Sequence, residues 1–309
     1  MQLLRKLRDI SKSVRGGALA IGNFDGVHCG HRSIVQRLIE HARAVEGPAV
    51  IFTFDPHPVR LLRPLEAPPP LTWTDRKADL LAELGVTAMI AYPTDRELLE
   101  LECRQFFQTI VIEALQAKVV VEGPNFFFGK NRVGDVQRLR ALCDEYGLYC
   151  DIVPPVQLES GLVSSSRIRE LLRAGHVTEA RAMLGYPYRL RGLVVHGAAR
   201  GARIGFPTAN LDGIDTLTPG HGIYAGRAQL EGRWHPAAIH IGPSPTFGDA
   251  LPRVEVHLID FEQSIYGRLL EVEFWHFMRH IETFADEQQL VTSISRDIDH
   301  ARELLQDMR

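Results

Sequence analysis

The pattern that most constrains the fold is an alternation of short aliphatic runs with amphipathic helical stretches before residue 185. The candidate strands are Ala18–Ile21, Ala49–Phe54, Thr87–Ala91, Lys118–Glu122 and Tyr149–Val153. Between them apolar residues recur at helical spacing, and two of the helical stretches end at a glycine (Gly85, Gly147), as helix C-caps do. This alternation predicts an α/β domain with a parallel sheet covered by helices on both faces.

The pattern changes near Gly185. The later candidate strands alternate in polarity and are Tyr188–Val195, Gly222–Leu230, Trp234–Ile241, Arg253–Phe261 and Leu269–Phe277. Such runs, separated by turn residues, predict an antiparallel β-barrel, and an amphipathic helix from about Asp286 to Met308 follows it. Because 309 residues exceed what one core usually serves, we predict two domains, 1–185 and 186–309.

The composition of the chain limits the classes of partner that the protein is expected to bind. A net charge of −3 gives no general affinity for nucleic acid or anionic membranes, so phosphate binding must be local. The four cysteines form no CxxC motif, which is typical of reduced cytosolic thiols. No run approaches a membrane span, and residues 1–14 lack the apolar core of a signal peptide. We therefore expect a cytoplasmic protein without nucleic-acid or membrane partners.

The most informative motif is the segment Gly22-Asn23-Phe24-Asp25-Gly26-Val27-His28-Cys29-Gly30-His31. It joins the first candidate strand to a helical stretch, a geometry that presents backbone N–H groups and a positive dipole end to phosphate. His28 and His31 are able to donate hydrogen bonds to a phosphate whose charge grows during reaction. We call this segment the histidine turn, and it predicts nucleotide chemistry at the carboxyl end of the first strand.

The histidine turn allows two other interpretations. A glycine-rich strand-to-helix turn is common and need not bind anything. Cys29 between the histidines suggests zinc, but zinc sites need about four ligands. The other cysteines (Cys103, Cys143, Cys150) do not pair with a histidine at ligand spacing, which disfavours a metal site.

Two loops of the first domain are expected to converge on the histidine turn. Residues 53–58 carry His57, which would line the pocket, unless this proline-rich loop is only a rigid turn. Residues 123–129 carry Asn125 and three consecutive aromatic residues, among them Phe128. Aromatic rings suit a flat ligand, although one or two of these phenylalanines are expected to be core residues.

A third segment, Ser164-Ser165-Ser166-Arg167, begins a predicted helix. Its hydroxyls, free N–H groups and guanidinium match a polyphosphate. Serines acting only as helix N-caps are the alternative.

The second domain carries a different nucleotide signature. Gly197, Gly201 and Gly205 are spaced four apart, which lets a backbone approach phosphate closely. Thr208 and Asn210 follow, and their neutral oxygens suit Mg²⁺ shared with substrate phosphates. The chain has no Walker A or GxGxxG sequence, which excludes ordinary P-loop and protein-kinase sites.

A candidate base lies in Val254-Glu255-Val256-His257-Leu258. Strand alternation puts Glu255 and His257 on one face, where Glu255 is able to accept a proton from a hydroxyl that attacks ATP. A solvated outer face is the alternative.

Together these segments resemble the bacterial bifunctional riboflavin kinase/FMN adenylyltransferase family, also called FAD synthetases. In the first domain the matching segments are GNFDGVHCGH (22–31), TFDPHP (53–58), GPNFFFG (123–129) and VSSSRIR (163–169). In the second they are RGARIGFPTANL (200–211), GIYA (222–225), VEVHLIDF (254–261) and YG (266–267). The HxGH motif marks only a superfamily, whereas its combination with the barrel motifs is specific.

The resemblance implies a Rossmann-like nucleotidyltransferase domain followed by a riboflavin kinase-like barrel. It also implies two reactions: riboflavin and MgATP give FMN and ADP in the barrel, and FMN and MgATP give FAD and pyrophosphate in the first domain. Flavin is then substrate and product rather than a prosthetic group, and Mg²⁺ accompanies ATP.

The resemblance also implies residue roles. His28 and His31 would stabilise charge on the α-phosphate, and Glu255 would be the base for the riboflavin 5′-hydroxyl. The residues expected to bind ATP in the adenylyltransferase are Gly22, Asn23, Phe24, Asp25, Ser164, Ser165, Ser166 and Arg167. Those expected to contact flavin or ATP are Asn125, Phe128 and His57. Those expected to bind ATP in the kinase are Gly201, Gly205, Pro207, Thr208 and Asn210, with Thr208 and Asn210 also holding the metal.

Several residues depart from the family pattern. Ser166 replaces the more frequent threonine, His240 stands where asparagine is usual, and Ser244 lies where a basic residue is frequent. An acid is expected two residues after Arg279, where this chain has Ile281.

These departures keep open an alternative, an FMN adenylyltransferase whose barrel binds flavin without kinase activity. A flavin-sensing regulator would need a basic nucleic-acid surface, and a cytidylyltransferase would not explain the second domain.

Overall fold

The computed structural model describes residues 1–197, 200–244 and 249–306. The chain divides into two compact units, Met1–Pro68 with Trp73–Ser164, and Pro69–Thr72 with Ser165–Arg309. Each unit has its own sheet.

The first unit contains a six-stranded parallel sheet in the order β1-β4-β3-β2-β5-β6. The strands are β1 (Gln2–Leu4), β2 (Ala18–Ile21), β3 (Ala49–Phe54), β4 (Ala88–Tyr92), β5 (Val119–Glu122) and β6 (Tyr149–Ile152). The helices are α1 (Cys29–Ala44), α2 (Pro58–Leu62), α3 (Thr74–Glu83), α4 (Arg96–Leu99), α5 (Cys103–Phe106), which continues as a π-helix (Phe107–Ala114), and α6 (Val136–Tyr146). A hairpin of β7 (Gln157–Leu158) and β8 (Gly161–Leu162) follows.

The α/β prediction is confirmed, and all five predicted strands are present to within one residue. Strands β2 and β5 are buried along their whole length, because helices cover both faces of a parallel sheet. Edge strand β1 was not predicted, since three residues are too few to show a pattern. The strand order reverses between β2 and β5, which puts the topological switch point at the end of β2.

The second unit is a closed six-stranded antiparallel barrel in the order β10-β13-β12-β11-β14-β9. Its strands are β9 (Tyr188–Val195), β10 (Ala209–Asp212), β11 (Gly222–Leu230), β12 (Arg233–Ser244), β13 (Asp249–Leu258) and β14 (Leu269–Arg279). Its helices are α7 (Ser165–Arg173), α8 (Val177–Leu184), α9 (Arg200–Arg203) and α10 (Glu287–Leu305). The predicted barrel and terminal helix are confirmed, and Asp286 caps α10; the predicted end, Met308, lies outside the described residues.

Helices α7 and α8 belong to the second unit by compactness. The backbone N–H of Gly220 donates to Leu172 O at 2.8 Å, and Thr178 Oγ1 donates to Trp275 O at 3.4 Å. The predicted limit at residue 185 therefore differs from this division, and the domain limits stay a prediction.

Among residues 1–197, 200–244 and 249–306, no helix combines the length and apolar character that crossing a membrane requires.

Candidate active sites

The histidine turn begins where strands β2 and β5 cease to be paired. These strands pair only at Ala18 and Leu19, whereas β2 stays paired with β3 up to Ile21. The Ile21 N–H donates to Glu122 Oε1 at 2.5 Å, so a side chain replaces the missing backbone acceptor. A crevice at the carboxyl ends of two diverging strands is where ligands bind in open α/β sheets.

The backbone of the histidine turn is strained. Phe24 has φ 45° and Val27 has φ 35°, the left-handed region that non-glycine residues rarely adopt. Each such residue costs about 1–3 kcal/mol, and strain of this kind clusters at functional sites. Both side chains are buried, which anchors the strained turn in the core.

The two histidines stack at the start of α1. Their ring centroids are 3.7 Å apart and nearly parallel. His28 is the helix N-cap, and its Nδ1 accepts from the His31 N–H at 3.3 Å. The proton of a neutral His28 therefore lies on Nε2. A Cβ at Gly30 would lie 3.2 Å from the His28 ring, so glycine permits this packing.

His31 is neutral near pH 7. Burial lowers its pKa well below the ordinary value of 6.5, and the charges of His28 and Lys77 lower it further. Its Nδ1 is buried without a hydrogen-bond partner in the described part of the chain, yet the residue stays partly exposed. A neutral imidazole still donates one N–H, so the pair is able to provide hydrogen bonds to a phosphate.

Asn23 joins the histidine turn to the rest of the first unit. Its backbone carbonyl accepts from Lys77 Nζ at 2.7 Å and from Thr53 Oγ1 at 3.2 Å. Its side-chain amide lies 2.9 Å from His57 Nε2, while His57 Nδ1 accepts from the Val59 N–H and so caps α2. The structure thus brings the predicted loop 53–58 to the histidine turn.

Sequence reasoning missed two buried ionisable residues at this crevice, Lys77 and Glu122. Burial raises the pKa of Glu122 well above its usual 4.5, and the hydrogen bond from Ile21 opposes that shift. The sequence contained a signal for each residue. Lys77 occupies a position on the apolar face of α3, and Glu122 directly follows the aliphatic run Val119–Val121.

The aromatic loop after β5 divides into core and surface. Phe128 is buried and stacks on Phe126, with centroids 5.4 Å apart. Phe127 is exposed, and the Arg132 guanidinium lies 5.2 Å from its ring centroid. Asn125 is exposed as well. The expected core role of one or two phenylalanines is met, and contact of Asn125 and Phe128 with a ligand stays a prediction.

The serine segment runs into α7. The carbonyl oxygen of Val163, the residue before Ser164, lies 3.9 Å from the position that a Cβ on Gly30 would take. The segment before α7 therefore lies close to the histidine turn. Ser165 begins α7, and Ser166 and Arg167 are exposed in its first turn. Their binding to phosphate stays a prediction.

In the barrel, three polar residues form a row across neighbouring strands. Asn210 on β10 lies directly opposite Glu255 on β13, which in turn lies opposite His240 on β12. Residues directly opposite in a ladder share one face of the sheet. His240 Nδ1 is 3.8 Å from Glu255 Oε2. Burial and the charge of Arg279 lower the pKa of His240 to about 4, so this contact is not an ion pair at neutral pH.

Two glycines in the glycine loop of the barrel, Gly197 and Gly201, leave no room for a larger residue. A Cβ on Gly197 would stand 2.3 Å from Asn210 Nδ2. A Cβ on Gly201 would stand 2.3 Å from Phe206 O and 3.5 Å from Thr208 Oγ1. Both glycines therefore let the loop close over the Thr208 and Asn210 side chains. Ala198 and Ala199 lie outside the described residues.

His257 fixes the end of this loop. Its Nδ1 lies 2.8 Å from the carbonyl oxygen of Pro207, and its ring meets Phe206 edge-on. The strand that carries Glu255 thus also holds the residue before Thr208.

A cavity of about 530 Å³ opens beside this row, within the usual size of ligand sites. Its polar lining includes His196, Asn210, Asp212, Thr218, His221 and Arg253.

Comparisons with known proteins match both halves of the chain. A family model described as FAD synthetase matches residues 10–167, and one described as riboflavin kinase matches residues 184–305. A bifunctional riboflavin kinase/FMN adenylyltransferase from Escherichia coli K12 is 35% identical over 98% of this chain and 97% of its own length. The chain belongs to the bifunctional riboflavin kinase/FMN adenylyltransferase family.

The family extends to distant relatives. A bifunctional riboflavin kinase/FMN adenylyltransferase from Bacillus subtilis is 31% identical over 94% of this chain and 93% of its own length. A crystal structure described as a macrolide-efflux protein from Streptococcus pneumoniae aligns with a TM-score of 0.86 at 31% identity, over 97% of this chain and 98% of that one. The predicted family, fold and bifunctional enzyme are thereby confirmed, with ATP and flavins as substrates.

The departures from the family pattern have structural counterparts. Arg279 makes a two-pronged ion pair with Asp297 of α10, at 2.9 and 2.7 Å, so a helix supplies the acid that position 281 lacks. The Ile281 side chain instead packs on Gly242, where a Cβ would stand 2.4 Å from Ile281 Cδ1. The side chain of Ser244 is not described.

The donor set of the kinase site suits Mg²⁺. The described residues contain no cluster of three or more His, Cys, Asp or Glu side chains able to hold a metal by themselves. Asn210 Oδ1 is buried and has no hydrogen-bond partner in the parts of the chain the structure describes. A neutral, orphaned oxygen of this kind fits a cation that keeps most of its ligands from water and substrate phosphates.

Proposed function

We propose that the protein has two active sites, one in the barrel, where riboflavin is phosphorylated, and one at the histidine turn, where FMN is adenylylated. The observation that supports this proposal is that two separate groups of polar side chains, one in each unit, have a geometry suited to phosphate chemistry. The first is the stacked His28–His31 pair, and the second is the Asn210–Glu255 pair.

In the kinase reaction, Glu255 takes the proton of the riboflavin 5′-hydroxyl while that oxygen attacks the γ-phosphorus. The bond from the γ-phosphorus to the bridging oxygen breaks, and ADP leaves. Thr208 and Asn210 would hold Mg²⁺, which offsets phosphate charge when bound. Neutral His240 beside Glu255 adds no cationic charge at this position.

In the adenylyltransferase reaction, an oxygen of the FMN phosphate attacks the α-phosphorus of ATP, and pyrophosphate leaves. The nucleophile is already an anion, so no general base is needed. His28 Nε2–H and the neutral His31 would donate hydrogen bonds to α-phosphate oxygens as charge builds there. Gly22–Asp25, Ser164–Ser166 and Arg167 would bind the nucleotide.

His240 favours one other candidate function. Because it lies 3.8 Å from Glu255, at a position where the family pattern has asparagine, the barrel could bind flavin without phosphorylating it. The remaining expectations, a cytoplasmic location and no nucleic-acid or membrane partner, rest on composition alone.

Chromatography of flavins separates these candidates. With riboflavin and MgATP we expect FMN first and FAD later. His28→Ala should stop the products at FMN, and Glu255→Gln should block riboflavin conversion by about 10²–10⁴-fold while added FMN still becomes FAD. Formation of FAD only from added FMN by the unaltered protein would establish the kinase-inactive barrel. Loss of both steps in either folded variant would contradict the two-site assignment.

A further inference from the structure

Lys77 is a buried lysine beside the histidine turn with no role in the reactions described above. It lies on the buried face of α3 with Ala78, Leu80 and Leu81, and only 8% of it is exposed. A buried ammonium group is costly unless it is paired and hydrogen-bonded. Its placement therefore calls for a specific set of partners.

Those partners come from the loops after two neighbouring strands. Lys77 Nζ donates to the Asn23 carbonyl at 2.7 Å, and Thr53 Oγ1 at the end of β3 donates to the same oxygen. Two carboxylates, Asp25 in the histidine turn and Asp55 after β3, favour the charged form of Lys77. The lysine thus ties α3 to both loops of the crevice.

The same charge acts on the catalytic pair. The groups whose charges act on His31 are His28 and Lys77, and both lower its pKa in addition to burial. His28 stacks 3.7 Å from His31, so two imidazolium ions would repel each other there. A neutral His31 keeps the stack together and still has an N–H to donate.

We propose that Lys77 is a positioning residue for FMN adenylylation: it anchors the strained histidine turn through the Asn23 carbonyl and places its positive charge where it acts on the stacked histidines. This inference rests on the proposed function of the first unit. It adds a residue that touches neither phosphate nor flavin and acts through Asn23 and His31.

Lys77→Met tests the proposal in the full chain, with Lys118→Met as the matched control. Lys118 is exposed and also donates to a backbone carbonyl, Val45 O, at 3.3 Å. For Lys77→Met we expect kcat of FAD formation from FMN to fall about 10²-fold, the size of effect that a 1 Å misplacement produces. The KM for ATP should change much less, and Lys118→Met should match the unaltered protein.

The His31 titration, followed by NMR of the imidazole rings, gives a readout that simple loss of packing would not move. In Lys77→Met the pKa of His31 should rise, and in Lys77→Arg, which keeps the charge, it should stay low. An unchanged His31 titration in Lys77→Met, or kcat within threefold of the unaltered protein, overturns the proposal.

Two further measurements keep the test decisive. Riboflavin kinase activity of each variant reports on the other unit and should be unchanged. Failure of the unaltered protein to make FAD would instead refute the proposed function.

If Lys77→Met does not fold, Thr53→Val removes only the second donor to Asn23. It should lower kcat without moving the His31 pKa, and an unchanged kcat would again overturn the proposal.

Discussion

At the scale of single residues, burial sets the protonation of three groups around the histidine turn. Burial raises the pKa of Glu122 and lowers those of His31 and Lys77. His31 is neutral at pH 7 as a result, and Glu122 keeps its proton to a higher pH than an exposed glutamate does. The carboxylates of Asp25 and Asp55 oppose the loss of charge from Lys77. With His31 neutral, the stacked rings of His28 and His31 do not repel each other as two imidazolium ions would.

Glu122 predicts a pH dependence of stability. Its folded-state pKa is raised above 4.5, so above that pH the unfolded chain releases a proton that the folded chain keeps. Stability then falls as pH rises from about 4.5 towards the raised pKa, by up to about 1.4 kcal/mol per pH unit. Glu122→Gln keeps the acceptor for the Ile21 N–H but does not ionise, so it should escape this loss.

Urea unfolding of the first unit at pH 4.5, 6 and 7.5 checks this prediction. The stability of Glu122→Gln relative to the unaltered protein should grow with pH. Glu113→Gln, at an exposed position, is the control and should show no trend. A constant difference for Glu122→Gln across this range would show that the carboxyl group is already ionised in the fold.

At the scale of elements, strand register and loop closure build the kinase site. The β10–β13 register sets Asn210 opposite Glu255, and the close approach of Gly201 to Phe206 closes the loop beside Thr208. His257 ties Pro207 to β13. The position of the proposed metal oxygens therefore depends on backbone contacts that a single methyl group would disrupt.

Gly201→Ala should raise the KM for ATP of the kinase at least tenfold, because its Cβ would stand 2.3 Å from Phe206 O. Gly205→Ala, in the same loop, is the matched comparison: its φ is +91° but a Cβ there meets nothing within 4 Å. Gly205→Ala costs only about 1–2 kcal/mol in backbone strain and should therefore raise the KM for ATP less than Gly201→Ala does. Steady-state kinetics decide, and equal KM values for the two variants would contradict a steric role for Gly201.

The secondary-structure elements also show which parts of the barrel could be predicted from the sequence. The alternation of polarity predicted the strands and placed Glu255 and His257 on one face, because strand periodicity is local. It did not reveal β10 (Ala209–Asp212), which includes the proposed metal ligand Asn210 and is too short to show an alternating run. Nor did it reveal that Asp297 pairs with Arg279, since a helix 18 residues away supplies the acid.

The same reasoning explains the missed residues of the first site. The histidine turn is contiguous in sequence and was predictable. Lys77 and Glu122 meet their partners Asn23 and Ile21 across 54 and 101 residues, and a single sequence does not show which ionisable residues packing will bury. Sequence patterns locate a site, whereas its electrostatics follow from the packed fold.

At the scale of the whole molecule, two separate folds carry two consecutive reactions of one pathway. The parallel sheet offers a crevice at the β2–β5 switch point, and the barrel offers a cavity beside its polar row. Because the histidine turn and the Asn210–Glu255 pair belong to different units, a change in one should leave the other working. The central claim is that the histidine turn and the barrel each bind an ATP of their own.

Counting bound nucleotide tests that claim most directly. Equilibrium dialysis with Mg²⁺ and a non-hydrolysable ATP analogue should saturate at two analogues per chain in the unaltered protein. It should saturate at one in Asn210→Ala, which removes a proposed kinase ligand and leaves the histidine turn intact. Saturation at one analogue in the unaltered protein, or at none in Asn210→Ala, would contradict the account.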